Sequence, residues 1–162
     1  MTKPIRILVV SGDAPGRDAA TIALRPVAGV EVLSPVADGA EAMRRVARRD
    51  PDLVLVDFLL PGRSGLQVGA MLKRRRFGPK VVLVSLGGGE AWAAAAREFG
   101  IDAVVRRDEM TARLPALLES LFPGRLRRRV DLAPERVGRD SPVDGQRAPT
   151  RESSELSRAA GR

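Results

Sequence analysis

The fold of this chain is decided by the run Leu53-Val54-Leu55-Val56-Asp57-Phe58-Leu59-Leu60-Pro61-Gly62. An unbroken apolar segment of this kind is typical of a strand in a parallel sheet that is covered on both faces. In open α/β sheets, ligands bind beyond the carboxyl ends of the strands, where this strand would deliver the carboxylate of Asp57. Asp57 is therefore a candidate functional residue, and the alternative interpretation is an acidic residue that caps the following turn.

Apolar runs alternate with segments of helical periodicity along the first three quarters of the chain. The runs are Ile5–Val10, Val30–Val36, Leu53–Val56, Val81–Val84 and Ala103–Val105. Such alternation favours βαβ units, whose right-handed connections place helices on both faces of a parallel sheet. The pattern predicts a doubly wound, five-stranded parallel sheet, (βα)5. Its first helix, about Ala14–Leu24, has the weakest pattern because Gly16 lies inside it.

The last predicted helix has the clearest apolar stripe. Its members follow i, i+3, i+4 spacing and are Met110, Leu114, Leu117, Leu118, Leu121 and Phe122. Thr111 is the predicted N-cap, which would place Pro115 in the first turn, where proline is tolerated.

Composition narrows the classes of function. The chain has neither Cys nor His, which excludes disulfides, thiolate zinc sites and imidazole catalysis. No apolar run approaches the length of a transmembrane helix, and the first residues lack the apolar core of a signal peptide. We therefore expect a cytoplasmic protein with no membrane partner.

Residues 123–162 differ in character from the rest of the chain. They are rich in Arg, Pro, Gly and Ser. Their ten Arg and six acidic residues give a net charge of +4, half of the +8 of the whole chain. Scattered apolar residues cannot offset the entropy of ordering such a segment, so a flexible basic tail is predicted. Arg127-Arg128-Arg129 could contact nucleic acid non-specifically, but interspersed acids and the lack of aromatic residues argue against a dedicated nucleic-acid surface.

Polar residues end several of the predicted strands and would meet at one edge of the sheet. Besides Asp57, they are Ser11-Gly12-Asp13 after the first strand, Ser85 after the fourth and Arg106-Arg107-Asp108 after the fifth. A carboxylate, a hydroxyl and a guanidinium could therefore converge there. Ser85 could instead cap the Gly-rich turn that follows it, and the arginines could belong to a solvated loop.

Several motifs together carry a resemblance to a known family. They are Ile5–Val10, Asp38-Gly39-Ala40-Glu41-Ala42, Asp57 followed by Pro61-Gly62 and Gly65, and Phe99-Gly100-Ile101-Asp102-Ala103. From about Pro4 to Phe122 the chain resembles the receiver domain of two-component response regulators. The resemblance implies a flavodoxin-like receiver domain over residues 1–122, followed by the tail at 123–162.

The resemblance also implies a mechanism and a set of site residues. Asp57 would accept a phosphoryl group from a sensor histidine kinase. A Mg²⁺ ion would be held by Asp57, by an acidic residue after the first strand, and by the backbone carbonyl of Leu59. Ser85 and Arg107 stand where the family has the hydroxyl and the Lys that contact the phosphoryl group.

Three departures from the family pattern affect these expectations. In the ungapped register the acidic pair falls on Ser11 and Gly12, and Asp13 supplies a metal ligand only if the loop shifts by one residue. Mg²⁺ affinity should therefore fall. Arg107 replaces Lys, and the two side chains are not equivalent. Val104 stands where the family has an aromatic residue that rotates on activation.

We therefore expect a single-domain response regulator in phosphorelay signalling, with Asp57 as phosphoacceptor, and not an enzyme. The alternative is a degenerate pseudo-receiver that acts through phosphorylation-independent protein contacts. The partner would be a sensor histidine kinase or another signalling protein.

Overall fold

The computed structural model describes residues 3–49 and 51–126. The strands are β1 (Ile5–Val10), β2 (Val30–Val32), β3 (Leu53–Asp57), β4 (Lys80–Ser85) and β5 (Ala103–Arg106). The helices are α1 (Ala14–Leu24), α2 (Gly39–Arg49), α3 (Gly65–Lys73), α4 (Gly89–Glu98) and α5 (Met110–Leu121), and a 3-10 turn at Arg107–Glu109 precedes α5. The strands are all parallel, in the order β2-β1-β3-β4-β5, which confirms the flavodoxin-like (βα)5 fold. The predicted tail lies, apart from residues 123–126, outside the described residues.

Side chains alternate across the sheet and divide the interior into two cores. Along β3, Leu53 and Leu55 lie in the core that α1 and α5 cover, whereas Val54 and Val56 lie in the core beneath α2, α3 and α4. All four are buried. Because both faces are covered, the strand is apolar throughout, as its sequence predicted. Asp57 has the parity of Leu53 and Leu55, and this places its side chain on the face of α1 and α5.

The second strand is shorter than the predicted Val30–Val36. It ends at Val32, and Val36 rejoins the sheet only through an isolated bridge to Val10. Between them lies Pro35, which has no N–H to donate to the neighbouring strand. Leu33 and Val36 still donate backbone hydrogen bonds to β1, so the apolar pattern marked a segment that follows β1 but is a regular strand only as far as Val32.

The start of the last helix also differs from the prediction. Helix α5 begins at Met110 with Glu109 in the N-cap position, so Thr111 is not the cap and Pro115 lies beyond the first turn. Pro115 has no N–H to donate to the carbonyl of Thr111, and both residues lie on the exposed side of the helix. The predicted apolar stripe is confirmed, with Leu114 and Leu118 fully buried.

Asp102 ties three elements together at the edge of the sheet opposite the Asp57 end of β3. Its carboxylate accepts hydrogen bonds from Lys73 Nζ (2.9 Å) at the end of α3, and from the backbone N–H of Val81 (2.8 Å) and Lys80 Nζ (3.3 Å) in β4. Burial alone would raise the pKa of Asp102. The hydrogen bonds from Lys73 and Val81 and the charges of Lys73 and Lys80 outweigh burial, and the pKa lies below its ordinary value.

This geometry predicts the effect of Asp102→Asn on stability. Because the folded-state pKa is lowered, the ionised carboxylate stabilises the fold at pH values above its unfolded pKa, and this contribution is lost as the pH falls through the folded-state pKa. We expect urea unfolding to show a loss of about 2 kcal/mol at pH 7. The loss should shrink as the pH is lowered from 5 to 3.

Asp108→Asn is the matched control, because Asp108 is exposed and pairs only on the surface with Arg106. It should cost less than about 0.5 kcal/mol at pH 7. Equal losses in the two variants, or a loss in Asp102→Asn that does not depend on pH, would contradict the prediction.

Candidate functional site

The sheet register brings Ser11 beside Asp57. Val10 of β1 pairs with Val56 of β3, so the next residue of each strand lies at the same level at the carboxyl edge of the sheet. Ser11 continues the parity of Val9 and therefore shares the α1/α5 face with Asp57. Both side chains are buried, and the Ser11 hydroxyl donates a hydrogen bond to Asp57 Oδ2.

Arg107 enters the same place from β5. It lies two residues after the buried Val105 and has the same parity. Its Nη2 lies 2.7 Å from Asp57 Oδ2. The same guanidinium clamps Asp13 with both of its terminal nitrogens, at 3.0 Å to Oδ2 and 3.1 Å to Oδ1. One planar cation thus bridges the carboxylate at the end of β3 and the carboxylate at the start of α1.

Asp13 and Ser11 complete the cluster. Asp13 is the N-cap residue of α1, but its side chain makes no capping hydrogen bond and turns towards Arg107 instead. The Ser11 hydroxyl also lies 2.9 Å from Asp13 Oδ1, and because it has one proton it can donate to only one carboxylate at a time. Arg17 adds a second guanidinium, which donates to the backbone carbonyl of Ser11 at 2.9 Å.

The ionisation of these groups follows from burial and from their pairing. Burial raises the pKa of Asp57 above its ordinary value, and the hydrogen bond from Ser11 and the charge of Arg107 only partly oppose this. The hydrogen bond from Arg107 lowers the pKa of the half-exposed Asp13. Burial acts to lower the pKa of Arg107, but the two carboxylates outweigh it and raise that pKa, so the guanidinium stays charged.

Gly16 explains how the cluster fits beneath α1. A Cβ atom at this position would lie 2.5 Å from Asp13 Oδ1 and 2.9 Å from Arg107 Nη2, and it would overlap Ser11 Oγ. The glycine that weakened the helical pattern is therefore required for the approach of α1 to the cluster. Sequence reasoning treated Gly16 only as an irregularity of the helix; its place in the first turn, next to the polar end of β1, was the available signal.

Two of the predicted site residues are not joined to this cluster. Ser85 is buried at the end of β4, but it has the parity of Leu83, which lies in the opposite core. Among the described residues, its hydroxyl has no hydrogen bond to Asp57. The N-cap of α4 is Gly88, so Ser85 is not the cap of that helix, and the capping of the Gly-rich turn by Ser85 stays a prediction. Leu59 follows β3 with an exposed side chain. The roles of Ser85 and of the Leu59 carbonyl stay predictions.

The residues present do not fit the Mg²⁺ ion that the resemblance implies. Asp57 Oδ2 and both oxygens of Asp13 already accept hydrogen bonds from Arg107, and the acidic pair of the family falls on Ser11 and Gly12. A Cβ atom on Gly12 would lie 2.8 Å from the ring of Pro61, so the loop leaves little room for a side chain there. Among residues 3–49 and 51–126, no group of three acidic side chains could hold a metal ion. Mg²⁺ requires near-octahedral oxygen ligands, which this cluster does not offer.

A sequence profile of the response regulator receiver domain matches residues 7–119. A protein-glutamate methylesterase/protein-glutamine glutaminase of Myxococcus xanthus is 32% identical over 165 residues, covering 100% of this chain and 46% of that protein. The phosphate regulon transcriptional regulatory protein PhoB of Pseudomonas aeruginosa is 33% identical, over 73% of this chain and 53% of that protein. The chain thus spans about half the length of these relatives.

Solved structures show the same fold. The signal receiver domain of the response regulator NarL from Mycobacterium tuberculosis superimposes with a TM-score of 0.63 at 25% identity, covering 74% of this chain and 97% of that one. The non-phosphorylated receiver domain of RcsB from Escherichia coli gives a TM-score of 0.66 at 16% identity, covering 73% of this chain and 92% of that one. Within the described residues, no helix is both long enough and apolar enough to cross a membrane.

The contacts of Gly16 predict that Gly16→Ala destabilises the protein. An alanine gains about 1 kcal/mol of helix propensity. The added methyl group, however, forces the hydroxyl and the carboxylate of the cluster apart, and such overpacking costs about 1–3 kcal/mol. The difference is a net loss of roughly 0–2 kcal/mol, centred near 1 kcal/mol, which thermal unfolding should report.

Gly87→Ala is the control, because a Cβ atom there would contact nothing within 4 Å. Its stability should stay within about 0.5 kcal/mol of the original protein. If Gly16→Ala were as stable as Gly87→Ala, the close approach of α1 to the cluster would be refuted.

Proposed function

Because the chain belongs to the family of response regulator receiver domains, we propose that it receives a phosphoryl group on Asp57 in two-component signalling. The observation that carries this proposal is the position of Asp57: a buried carboxylate at the carboxyl end of the central strand β3, with a guanidinium 2.7 Å from one of its oxygens. Such a cation offsets the repulsion between a carboxylate and an incoming phosphoryl group.

The two oxygens of Asp57 have different surroundings. The hydrogen bonds of Ser11 and Arg107 both go to Oδ2, and among the described residues Oδ1 accepts none. In the proposed step, Oδ1 attacks the phosphorus of a phosphohistidine. A phosphorus–oxygen bond forms and the phosphorus–nitrogen bond breaks, and the departing imidazole keeps the electron pair. Arg107 then remains as the counter-ion of the aspartyl phosphate.

A second candidate function is a phosphorylation-independent interaction module. The observation that favours it is the replacement of the family's acidic pair by Ser11 and Gly12, which removes the ligands on which metal-assisted transfer depends. In this case a signalling partner would bind the receiver surface directly. Asp57→Asn would leave that binding unchanged.

The partner and the cellular location of the protein are proposals. We propose a sensor histidine kinase or another signalling protein as partner, and the cytoplasm as location. The aligned region is 46% of the methylesterase and 53% of the phosphate regulator, so both relatives are longer than this chain. Action as a single-domain regulator without enzymatic activity stays a prediction. Nucleic acid was expected as a partner only non-specifically, through Arg127-Arg128-Arg129, and these residues lie outside the described part of the chain.

The acceptor role predicts a covalent adduct on one residue. Incubation with acetyl phosphate, followed by intact-protein mass spectrometry, should show the gain of one phosphoryl group. The gain should disappear in Asp57→Asn, because an amide oxygen is a poor nucleophile. Asp18→Asn, which neutralises an exposed carboxylate on α1, is the control and should be phosphorylated like the original protein.

An adduct that persists in Asp57→Asn would place the acceptor elsewhere. No adduct in the original protein, under any ionic condition, would reject phosphoryl transfer and leave the interaction module as the function.

A further inference from the structure

We propose that the guanidinium of Arg107 takes the place of the divalent cation in this receiver site, so that the site is neutralised by the chain itself and works without metal. This role of Arg107 rests on the proposed function of Asp57 as phosphoryl acceptor, whose negative charge Arg107 would neutralise. It concerns the charge that lies between Asp57 and Asp13.

The geometry shows a cation that contacts both carboxylates. Arg107 makes three contacts of 2.7 to 3.1 Å, one with Asp57 and two with Asp13. A Lys ammonium is a point charge on a flexible chain and cannot present this planar pair of nitrogens to Asp13 while it also reaches Asp57. Arginine at this position can therefore contact both carboxylates at once, which the family's Lys cannot do in this geometry.

The surroundings are shaped for the guanidinium. Gly16 leaves the space that Arg107 Nη2 occupies, and the ring of Pro61 fills the space in which a side chain at Gly12 would lie. The Arg107 side chain is only 25% exposed. Its Nε is buried and has no hydrogen-bond partner among the described residues, so the contacts of the guanidinium with Asp57 and Asp13 are made by its two terminal nitrogens.

Charge balance supports the same conclusion. Asp13 and Asp57 carry two negative charges, Arg107 bridges them, and Arg17 contacts the adjoining backbone carbonyl of Ser11. The cluster is therefore close to neutral. A divalent ion would have to displace the guanidinium from both carboxylates or approach it at close range, and both are unfavourable in a partly buried site.

The loss of the acidic pair and the Lys-to-Arg exchange then form one change. Without the family's acidic pair, fewer negative charges have to be neutralised at this site. The guanidinium of Arg107 neutralises those of Asp57 and Asp13. The phosphoryl group would meet a positive charge that is already in place.

The experiment compares Arg107→Gln with the matched control Arg106→Gln. Arg106 is the neighbouring arginine, and it pairs with Asp108 and Glu109 on the surface. Phosphorylation by acetyl phosphate is followed by mass spectrometry with Mg²⁺ and with a chelator. Mg²⁺ binding is measured separately by calorimetry and by the fluorescence of Trp92, the one tryptophan of the chain, whose ring centroid lies 4.1 Å from that of Phe58, next to Asp57.

We expect the original protein and Arg106→Gln to be phosphorylated at equal rates with and without Mg²⁺, and to give no signal on Mg²⁺ titration. Arg107→Gln should lose metal-free phosphorylation by roughly 100-fold. It should also gain Mg²⁺ binding, because two carboxylates are released. Arg107→Lys, which keeps the charge, should lie between these variants, and it serves if Arg107→Gln does not fold.

The outcomes separate this inference from the function on which it rests. Phosphorylation that requires Mg²⁺ in the original protein would overturn the inference and leave Asp57 as acceptor. If no variant is phosphorylated, the acceptor role fails, and the Mg²⁺ titration alone decides. Binding that appears only when Arg107 is replaced would support the built-in cation, whereas binding by the original protein, or by none of the variants, would overturn it.

Discussion

The contact on which the site depends is the bridge of Arg107 between Asp57 and Asp13. Its partners are 50 and 94 residues away along the chain, so only the folded sheet brings them together. A carboxylate as buried as Asp57 is costly without a nearby cation, and Arg107 supplies that cation at hydrogen-bonding distance. The bridge also connects the end of β5 to the start of α1. The acceptor strand, the first helix and the last strand therefore share one electrostatic unit.

The departures from the family pattern lie around this bridge and are related to one another. Ser11 keeps a hydrogen bond to Asp57 where the family has a carboxylate. Gly12 makes room for Pro61, and Gly16 makes room for the guanidinium. The replacement of the acidic pair by Ser11 and Gly12 would be damaging in a site that binds a metal ion. Together the departures form a polar cluster in which opposite charges are paired and hydrogen-bonded, which is the condition under which charged groups are tolerated in a protein interior.

Sequence patterns predicted the elements well where burial and hydrogen bonding coincide. Strand β3 lies within one residue of its predicted bounds, and α1 has the predicted ones. The pattern failed at β2, where apolar residues continue to Val36 but Pro35 interrupts the ladder of hydrogen bonds. The predicted start of α5 was also wrong. The helix begins before Thr111, and Pro115 lies inside the helix, on its exposed side.

The sequence by itself determined the doubly wound fold, because five apolar runs alternate with helical segments, and it placed Asp57 at the end of the third run. It also supplied Asp13 and Arg107 as candidates. Only the tertiary structure decided that these two side chains pair with each other and with Asp57, while Ser85 has the parity of the opposite face. The physical reason is that register and side-chain alternation fix which strand ends meet, and neither can be read from one strand alone.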